Sequence, residues 1–118
     1  MSSKIAGIAR IKVNGELLES LPGAKLRMGG VKRKPKSGHK FYGFCEEVVH
    51  SEMECTIVWK NETPIETIRN FTDGIINFEA DNGVTYMMAM ASIEDPPELS
   101  DGEGEVPLKF FGDVAEVA

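Results

Sequence analysis

Two-residue alternation of apolar and polar side chains is the feature that most constrains this chain. In residues 52–59, Met53, Cys55, Ile57 and Trp59 alternate with Glu52, Glu54, Thr56 and Val58. Successive side chains of a strand point to opposite faces, so this period predicts a strand. Asn14-Gly15 and Asp81-Asn82-Gly83 are strong signals for hairpin turns between similar segments. The chain is therefore predicted to be mainly β, a sandwich or barrel of about seven strands.

One short helix is predicted to dock on these strands. Thr63-Pro64-Ile65-Glu66 has the form of a capping box, with a hydroxyl at the N-cap, proline at the first helical position and glutamate at the third. Asp73-Gly74 predicts its end, because glycine can take the left-handed conformation there. A helix this short is not stable alone in water, so we expect it to pack against the sheet.

The size and composition of the chain suit one domain, residues 1–118, with a single core. No apolar run approaches the roughly 20 residues needed to cross a bilayer, so no membrane partner is expected. The N-terminal residues do not have the pattern of a secretory signal, which favours the cytoplasm. Cys45 and Cys55 lack the paired spacing of a zinc site and are expected to be buried thiols.

The net charge of −6 is unevenly distributed. Residues 29–40, "GGVKRKPKSGHK", are punctuated by glycine and proline and are predicted to form a flexible basic loop. Its candidate contact residues are Gly29, Gly30, Lys32, Arg33, Lys34, Lys36 and Lys40. An acidic loop at 94–105 carries Glu94, Asp95, Glu98, Asp101, Glu103 and Glu105. Opposite patches of similar size can meet within a molecule or between molecules.

The sequence contains no recognisable catalytic arrangement. Catalysis would need a nucleophile with a base, paired carboxylates or a metal site. His39 and His50 have no partner at ligand spacing, and Glu46 and Glu47 are expected on opposite faces of a strand. We therefore expect neither enzyme activity nor a cofactor.

The basic segment also has a nucleic-acid interpretation. Its lysines could contact phosphates, and Phe41, Tyr42 and Phe44 stand close enough in the sequence to stack on bases. The acidic balance of the whole chain argues against this, because nucleic-acid-binding domains are generally basic. A small β-barrel that binds nucleic acid through residues 32–44 is the alternative to a contact with protein.

Taken in order, several segments resemble the tail tube proteins of Mu-like contractile-tailed phages and related prophages. The segments are "IARIKVNGELLESLPGAKL", "GGVKRKPKSGHKFYGF", "MECTIVW", "INFEADNGVTYMMAMA" and "EDPPELSDGEGEVPLKF". The resemblance runs from about residue 5 to residue 112. The chain departs from the family pattern at residues 31–38 and in the C-terminal tail.

The resemblance implies a β-sandwich subunit that assembles with itself into rings of six, stacked as a hollow tube inside a contractile sheath. DNA would pass through the bore as cargo. Tail sheath, baseplate and tape-measure proteins would be the other partners, in a virion tail assembled in the bacterial host cytoplasm. The needle-like tubes of bacterial secretion machines share this architecture, so the fold alone does not separate the two.

Two roles for charge follow from that resemblance. We hypothesise that the basic loop becomes ordered when rings stack, with Gly29 and Gly30 as a hinge and the acidic loop as its partner. Negative charge in the bore would repel DNA, as a conduit requires. The candidate lining residues are Glu46, Glu52, Glu54 and Glu79.

Overall fold

The computed structural model describes residues 7–100, 102 and 104–118. In chain order the elements are β1 (Ala9–Val13), β2 (Glu16–Leu18), β3 (Lys25–Arg27), β4 (Gly30–Ser37), β5 (Phe41–Val49), β6 (Ser51–Val58), α1 (Ile65–Arg69), β7 (Gly74–Ala80), β8 (Thr85–Ile93), β9 (Glu105–Gly112) and β10 (Glu116–Val117). The protein is therefore mainly β with one short helix in the described residues, as the alternation predicted.

Eight strands form one antiparallel sheet in the order β2-β1-β7-β8-β9-β6-β3, with β10 beside β8. β8 joins the two halves of this sheet, because it pairs with β7 as far as Ala91 and with β9 at Ser92 and Ile93. A register shift in the β7–β8 ladder and a positive φ of 53° at Met90 mark a bulge that bends β8. Both halves face the same core, so the fold is a sandwich rather than a closed barrel.

The alternation in β6 and β9 builds the core. The buried cross-strand pairs are Met53–Phe110, Cys55–Leu108 and Ile57–Val106. Ile76 and Met88 reach the same cluster from the other half of the sheet, and Ile68 reaches it from α1. Phe71 lies edge-on to Phe110, with ring centroids 5.6 Å apart. The helix thus docks on the sheet, as its short length predicted.

Both predicted hairpin turns are present. Asn14 and Gly15 have φ values of 50° and 85°, which a type I′ turn requires. The side-chain oxygen of Asn14 accepts the Ile75 N–H at 2.9 Å, and the Asn14 N–H donates to the Ile75 carbonyl at 2.8 Å. The first turn is thereby fastened to β7. Gly83 supplies a φ of 95° in the turn between β7 and β8.

The helix is shorter than predicted and begins differently. α1 starts at Ile65, Pro64 occupies the N-cap position, and no side chain caps the helix. The Thr63 hydroxyl instead accepts the Lys60 N–H at 2.8 Å and donates to the Val58 carbonyl at 3.1 Å. The capping-box prediction is therefore wrong, because the turn that follows β6 engages the Thr63 hydroxyl first.

The segment at 29–40, predicted to be a flexible loop, is mostly a strand. β4 pairs with β5 along its whole length, and the two form a separate two-stranded sheet. This register places Lys32 opposite Glu47 and Arg33 opposite Glu46. Opposite charges at facing positions stabilise a strand pair. The glycines and the proline predicted a loop because the charge pairing between the two strands cannot be read from either segment alone. We call residues 30–49 the projecting hairpin.

The projecting hairpin extends the molecule well beyond a compact shape. The radius of gyration is 17.2 Å, whereas a compact domain of this length has about 13 to 14 Å. Nearly every residue of β4 and β5 is exposed. A lone two-stranded hairpin is at best marginally stable in water. We therefore expect contact with a partner to stabilise the projecting hairpin.

The hydroxyl of Ser51, which is fully buried, holds the base of the projecting hairpin. It accepts the Gly29 N–H at 2.8 Å and the Ala115 N–H at 2.7 Å. Because Ser51→Ala leaves both donors without an acceptor, we expect it to lower the free energy of unfolding by about 2 kcal/mol. Chemical denaturation measures this change.

Ser92→Ala is the matched control for that experiment. Ser92 accepts a single exposed N–H, that of Asp73, at 3.2 Å. Water can replace this acceptor, so the expected loss is below about 1 kcal/mol. Equal losses for the two variants would contradict the role of Ser51 as a buried anchor.

Candidate assembly surface

The projecting hairpin leaves the body of the domain at a closely packed junction. A side chain at Gly29 would collide with the Val49 carbonyl oxygen. Gly30 has a φ of 138°, which residues with side chains rarely adopt. Close packing therefore requires glycine at Gly29, and the backbone conformation favours it at Gly30, whereas the sequence had suggested a hinge.

The strand register gives the projecting hairpin two unlike faces, since paired residues share a face and successive residues alternate. The lysine face carries the pairs Lys32–Glu47, Lys34–Cys45 and Lys36–Gly43. The apolar face carries Val31–Val48, Pro35–Phe44 and Ser37–Phe41, with Arg33–Glu46 between the first two. A bulge between Lys36 and Ser37 precedes the turn.

The apolar face is open to solvent. Val48 is 76% exposed, Phe41 65%, Phe44 55% and Val31 47%. Neighbouring exposed apolar side chains on a small domain mark an interaction surface. Sequence reasoning considered the aromatic residues only for base stacking and missed the two valines. The valines could have been found from the two-residue spacing of apolar side chains on β4 and β5. That spacing is informative only once β4 is recognised as a strand.

Two of the predicted contact bases are paired inside the hairpin. Lys34 Nζ lies 2.6 Å from Glu47, and an Arg33 guanidinium nitrogen lies 3.9 Å from Glu46. The hairpin lysines that make no ion pair with the described residues are Lys32, Lys36 and Lys40. Five bases and two acids leave residues 30–49 with a net charge of +3. The charge available to a partner is concentrated on these three lysines.

The acidic segment at 94–105 is partly tied to the sheet. Glu94 lies 3.1 Å from Lys109 Nζ, and the hydrogen bond between them raises the pKa of Lys109. Of the other predicted acids, Asp95 and Glu98 line a groove on the outside of β6 and β9, Glu105 begins β9, and Asp101 and Glu103 lie outside the described residues. Within the part of the chain that the structure describes, no ion pair joins this segment to the projecting hairpin.

The projecting hairpin and the return of the acidic segment lie at opposite ends of β6. The hairpin leads into β6 at Ser51. At the other end, the Trp59 N–H donates to the Gly104 carbonyl at 2.7 Å, and Val58 pairs with Glu105. A strand of this length spans about 25 Å. One chain therefore carries unlike surfaces at its two ends.

The four candidate bore carboxylates lie on different surfaces. Glu46 belongs to the projecting hairpin, Glu52 and Glu54 lie on the outer face of β6, and Glu79 lies on the outer face of β7. Each has a basic side chain within 4.0 Å, which is Lys109 for both residues of β6. The structure does not bring the four together, and nearby cations partly cancel their charge.

The histidines are not arranged for chemistry. His50 Nε2 lies 3.2 Å from Glu52, and the ring packs edge-on to Phe111. His39 is exposed at the end of the projecting hairpin. Within residues 7–100, 102 and 104–118, no group of three His, Cys, Asp or Glu side chains could hold a metal ion. No helix in these ranges is long and apolar enough to cross a membrane.

Comparison with known proteins gives matches along nearly the whole chain. Residues 2–116 match the family described as phage tail tube protein. The chain is 31% identical over 110 residues to the Mu-like prophage FluMu tail tube protein of Haemophilus influenzae, covering 93% of this chain and 92% of that protein. It is 33% identical over 97 residues to the tail tube protein of Escherichia phage Mu, covering 82% of each. The family match spans the projecting hairpin and the acidic segment.

The two cysteines provide a probe of the projecting hairpin. Cys45 is exposed on the lysine face, contrary to the prediction that both thiols are buried. Cys55 lies in the core, and burial raises its pKa to about 12. Because the thiolate is the reactive form, we expect one thiol of the native protein to react quickly with a disulfide reagent near pH 8, and the second only after unfolding. Two fast thiols, or a fast thiol in Cys45→Ser, would contradict this placement.

Proposed function

We propose how this chain assembles from the premise that it belongs to the phage tail tube protein family, whose members are structural proteins and not enzymes. In our proposal, copies of the chain form rings of six, and the rings stack into a hollow tube. The tube would lie inside a contractile sheath and carry DNA through its bore. The related proteins of phage Mu and of the Haemophilus prophage are both named tail tube proteins.

One observation carries this proposal. The projecting hairpin pairs with no other strand among the residues that the structure describes and stands at one end of β6, while the acidic segment returns at the other end. Contacts between unlike ends do not close on themselves, so they repeat from copy to copy and build a filament. A contact between like ends would stop at two copies. The ends of this subunit therefore favour stacking in one direction.

Charge gives that contact its polarity. The unpaired lysines of the hairpin, Lys32, Lys36 and Lys40, would face the acidic segment of the next copy, where Asp95, Glu98 and Glu105 make no ion pair with described residues. Complementary charge aligns such surfaces and excludes contact between two like ends. Arg33, Lys34 and Glu94 add less, because each is already paired within its own chain.

Contacts around a ring need a different part of the molecule. β2 and β3 are the two end strands of the large sheet, and each is only three residues long. Neighbouring subunits could extend the sheet at such edges, which removes unpaired backbone groups when the ring closes. We propose these edges as lateral contacts.

The bore must let DNA pass without holding it. A net charge of −6 on each subunit, repeated around a ring, would repel the phosphates. Glu52 and Glu54 share one outer face, so either this face or the face that carries Glu79 would line the bore, but not both. Tail sheath, baseplate and tape-measure proteins would be the other partners in a virion tail assembled in the host cytoplasm.

A second candidate function is binding of nucleic acid by the projecting hairpin. Phe41, Tyr42 and Phe44 are more than half exposed, and Lys36 and Lys40 lie beside them. Exposed aromatic rings among cations are the usual platform for single strands. The pairing of two of the hairpin's bases with its own glutamates reduces the charge that phosphates would require.

Charge reversal tests the stacking contact. Lys32→Gln, Lys36→Glu and Lys40→Glu together should leave the fold intact, because all three side chains are exposed and glutamine puts no like charge opposite Glu47. Repulsion between the altered hairpin and the acidic segment should then prevent stacking. Electron microscopy of the concentrated protein should show long tubes for wild type and single rings or subunits for the triple variant.

The matched control replaces the same three lysines by arginine, which keeps the charge, and should give tubes of normal length. Normal tubes from the triple variant with Lys32→Gln, Lys36→Glu and Lys40→Glu would contradict the proposed contact. Single particles of the wild-type protein that bind DNA, with an affinity that falls steeply in added salt, would favour the second function instead.

A further inference from the structure

A groove lies between α1 and β2, at the end of β6 far from the projecting hairpin. Its walls include Val13, Leu17, Pro64 and Thr67, above buried core residues. Leu17 is 58% exposed although it is a large apolar side chain. The rim carries Glu16 and Glu62, which make no ion pair with described residues, and Lys60, which is paired with Glu19 at 2.8 Å. We call this the α1–β2 groove.

We propose that the α1–β2 groove is the receptor for the apolar face of the projecting hairpin of a second copy of this chain. The inference rests on the proposed function, because it takes copies of the chain as partners. It goes further by naming the surface that accepts the hairpin and by assigning the binding strength to apolar side chains rather than to the lysines.

The chemistry of the two surfaces matches. Phe41 and Phe44, at the turn end of the apolar face, need an apolar seat, and the α1–β2 groove offers one. The other groove near the acidic segment is lined by charged groups that include Lys25, Glu54 and Lys109. Seating aromatic rings there would strip water from those charges, which is unfavourable.

Charge supports the same pairing. The projecting hairpin has a net charge of +3, and the unpaired charges at the rim of the groove belong to Glu16 and Glu62. Lys40, in the turn of the hairpin, is the cation nearest the end that would enter the groove. An apolar centre with a charged rim is the usual anatomy of a protein interface.

The occupant has to come from another copy. The hairpin leads into β6 at Ser51, whereas the groove is lined by Ile57 and Val58 at the other end of that strand. Within its own chain the apolar face stays exposed. Seating a hairpin of one copy in the groove of the next therefore repeats indefinitely, as stacking requires.

Filling the groove tests the proposal. Thr67 is exposed and lines the groove, whereas Arg69 is exposed on the same helix and does not line it. We expect Thr67→Trp to block the seat and abolish tubes, and the matched control Arg69→Trp to assemble normally. Phe44→Ser should raise the protein concentration needed for assembly by on the order of tenfold or more, since it removes an exposed aromatic side chain that the contact would bury.

Crosslinking locates the contact directly. In a Cys45→Ser background, the variant with Phe44→Cys and Thr67→Cys should form disulfide-linked multimers when a mild oxidant is added. These appear as a ladder on a non-reducing gel, because a disulfide requires close approach of the two residues. Glu47→Cys with Thr67→Cys is the control, since Glu47 lies on the lysine face and should give no ladder. Circular dichroism of each variant confirms that the fold is retained.

The outcomes separate this inference from the proposed function. Wild-type tubes together with normal tubes from Thr67→Trp and no ladder from the Phe44 pair would overturn the groove and leave the tube function standing. Equal loss of tubes in Thr67→Trp and Arg69→Trp would also overturn it, because the helix surface as a whole would then be the contact. A wild-type protein that forms no tubes would overturn both.

Discussion

The pairing of β6 with β9 is the constraint on which the rest of the structure depends. Their inward side chains form the centre of the core, and α1 and the other half of the sheet close over them. The same strand also fixes where the surface features lie, because Ser51 anchors the projecting hairpin at one end and Val58 meets the acidic segment's return at the other. A single strand thus sets the positions of the core and of the two surfaces that we propose for assembly.

The elements governed by local rules were predictable from the sequence. The alternation of apolar and polar side chains in residues 52–58 predicted β6. The Asn14-Gly15 turn was predicted because both residue types tolerate positive φ. Predictions failed where a residue's partner is distant in the sequence. Thr63 matched a helix cap but is held by the turn after β6, and Trp59 continued the period of β6 although the strand ends at Val58 and leaves it 42% exposed.

The candidate site shows the same division. Composition identified the basic and acidic segments, but it gave no sign that Arg33 and Lys34 pair with Glu46 and Glu47 of β5, because that pairing depends on the strand register. Ser51 carried no signal as an anchor because its two donors come from Gly29 and Ala115. Which bases remain available to a partner is therefore a property of the fold and not of the composition.

The length of β6 has a mechanical consequence for any stacked polymer of this chain. In the proposed stack it would set the axial distance between the projecting hairpin of a subunit and the α1–β2 groove that receives the hairpin of the next copy. Two extra residues would preserve the alternation of inner and outer faces but lengthen the strand by about 7 Å. Every subunit would contribute that increment, so a local insertion would alter the helical pitch and the total length of the assembly. Subunits with the two strand lengths would not form a regular stack together.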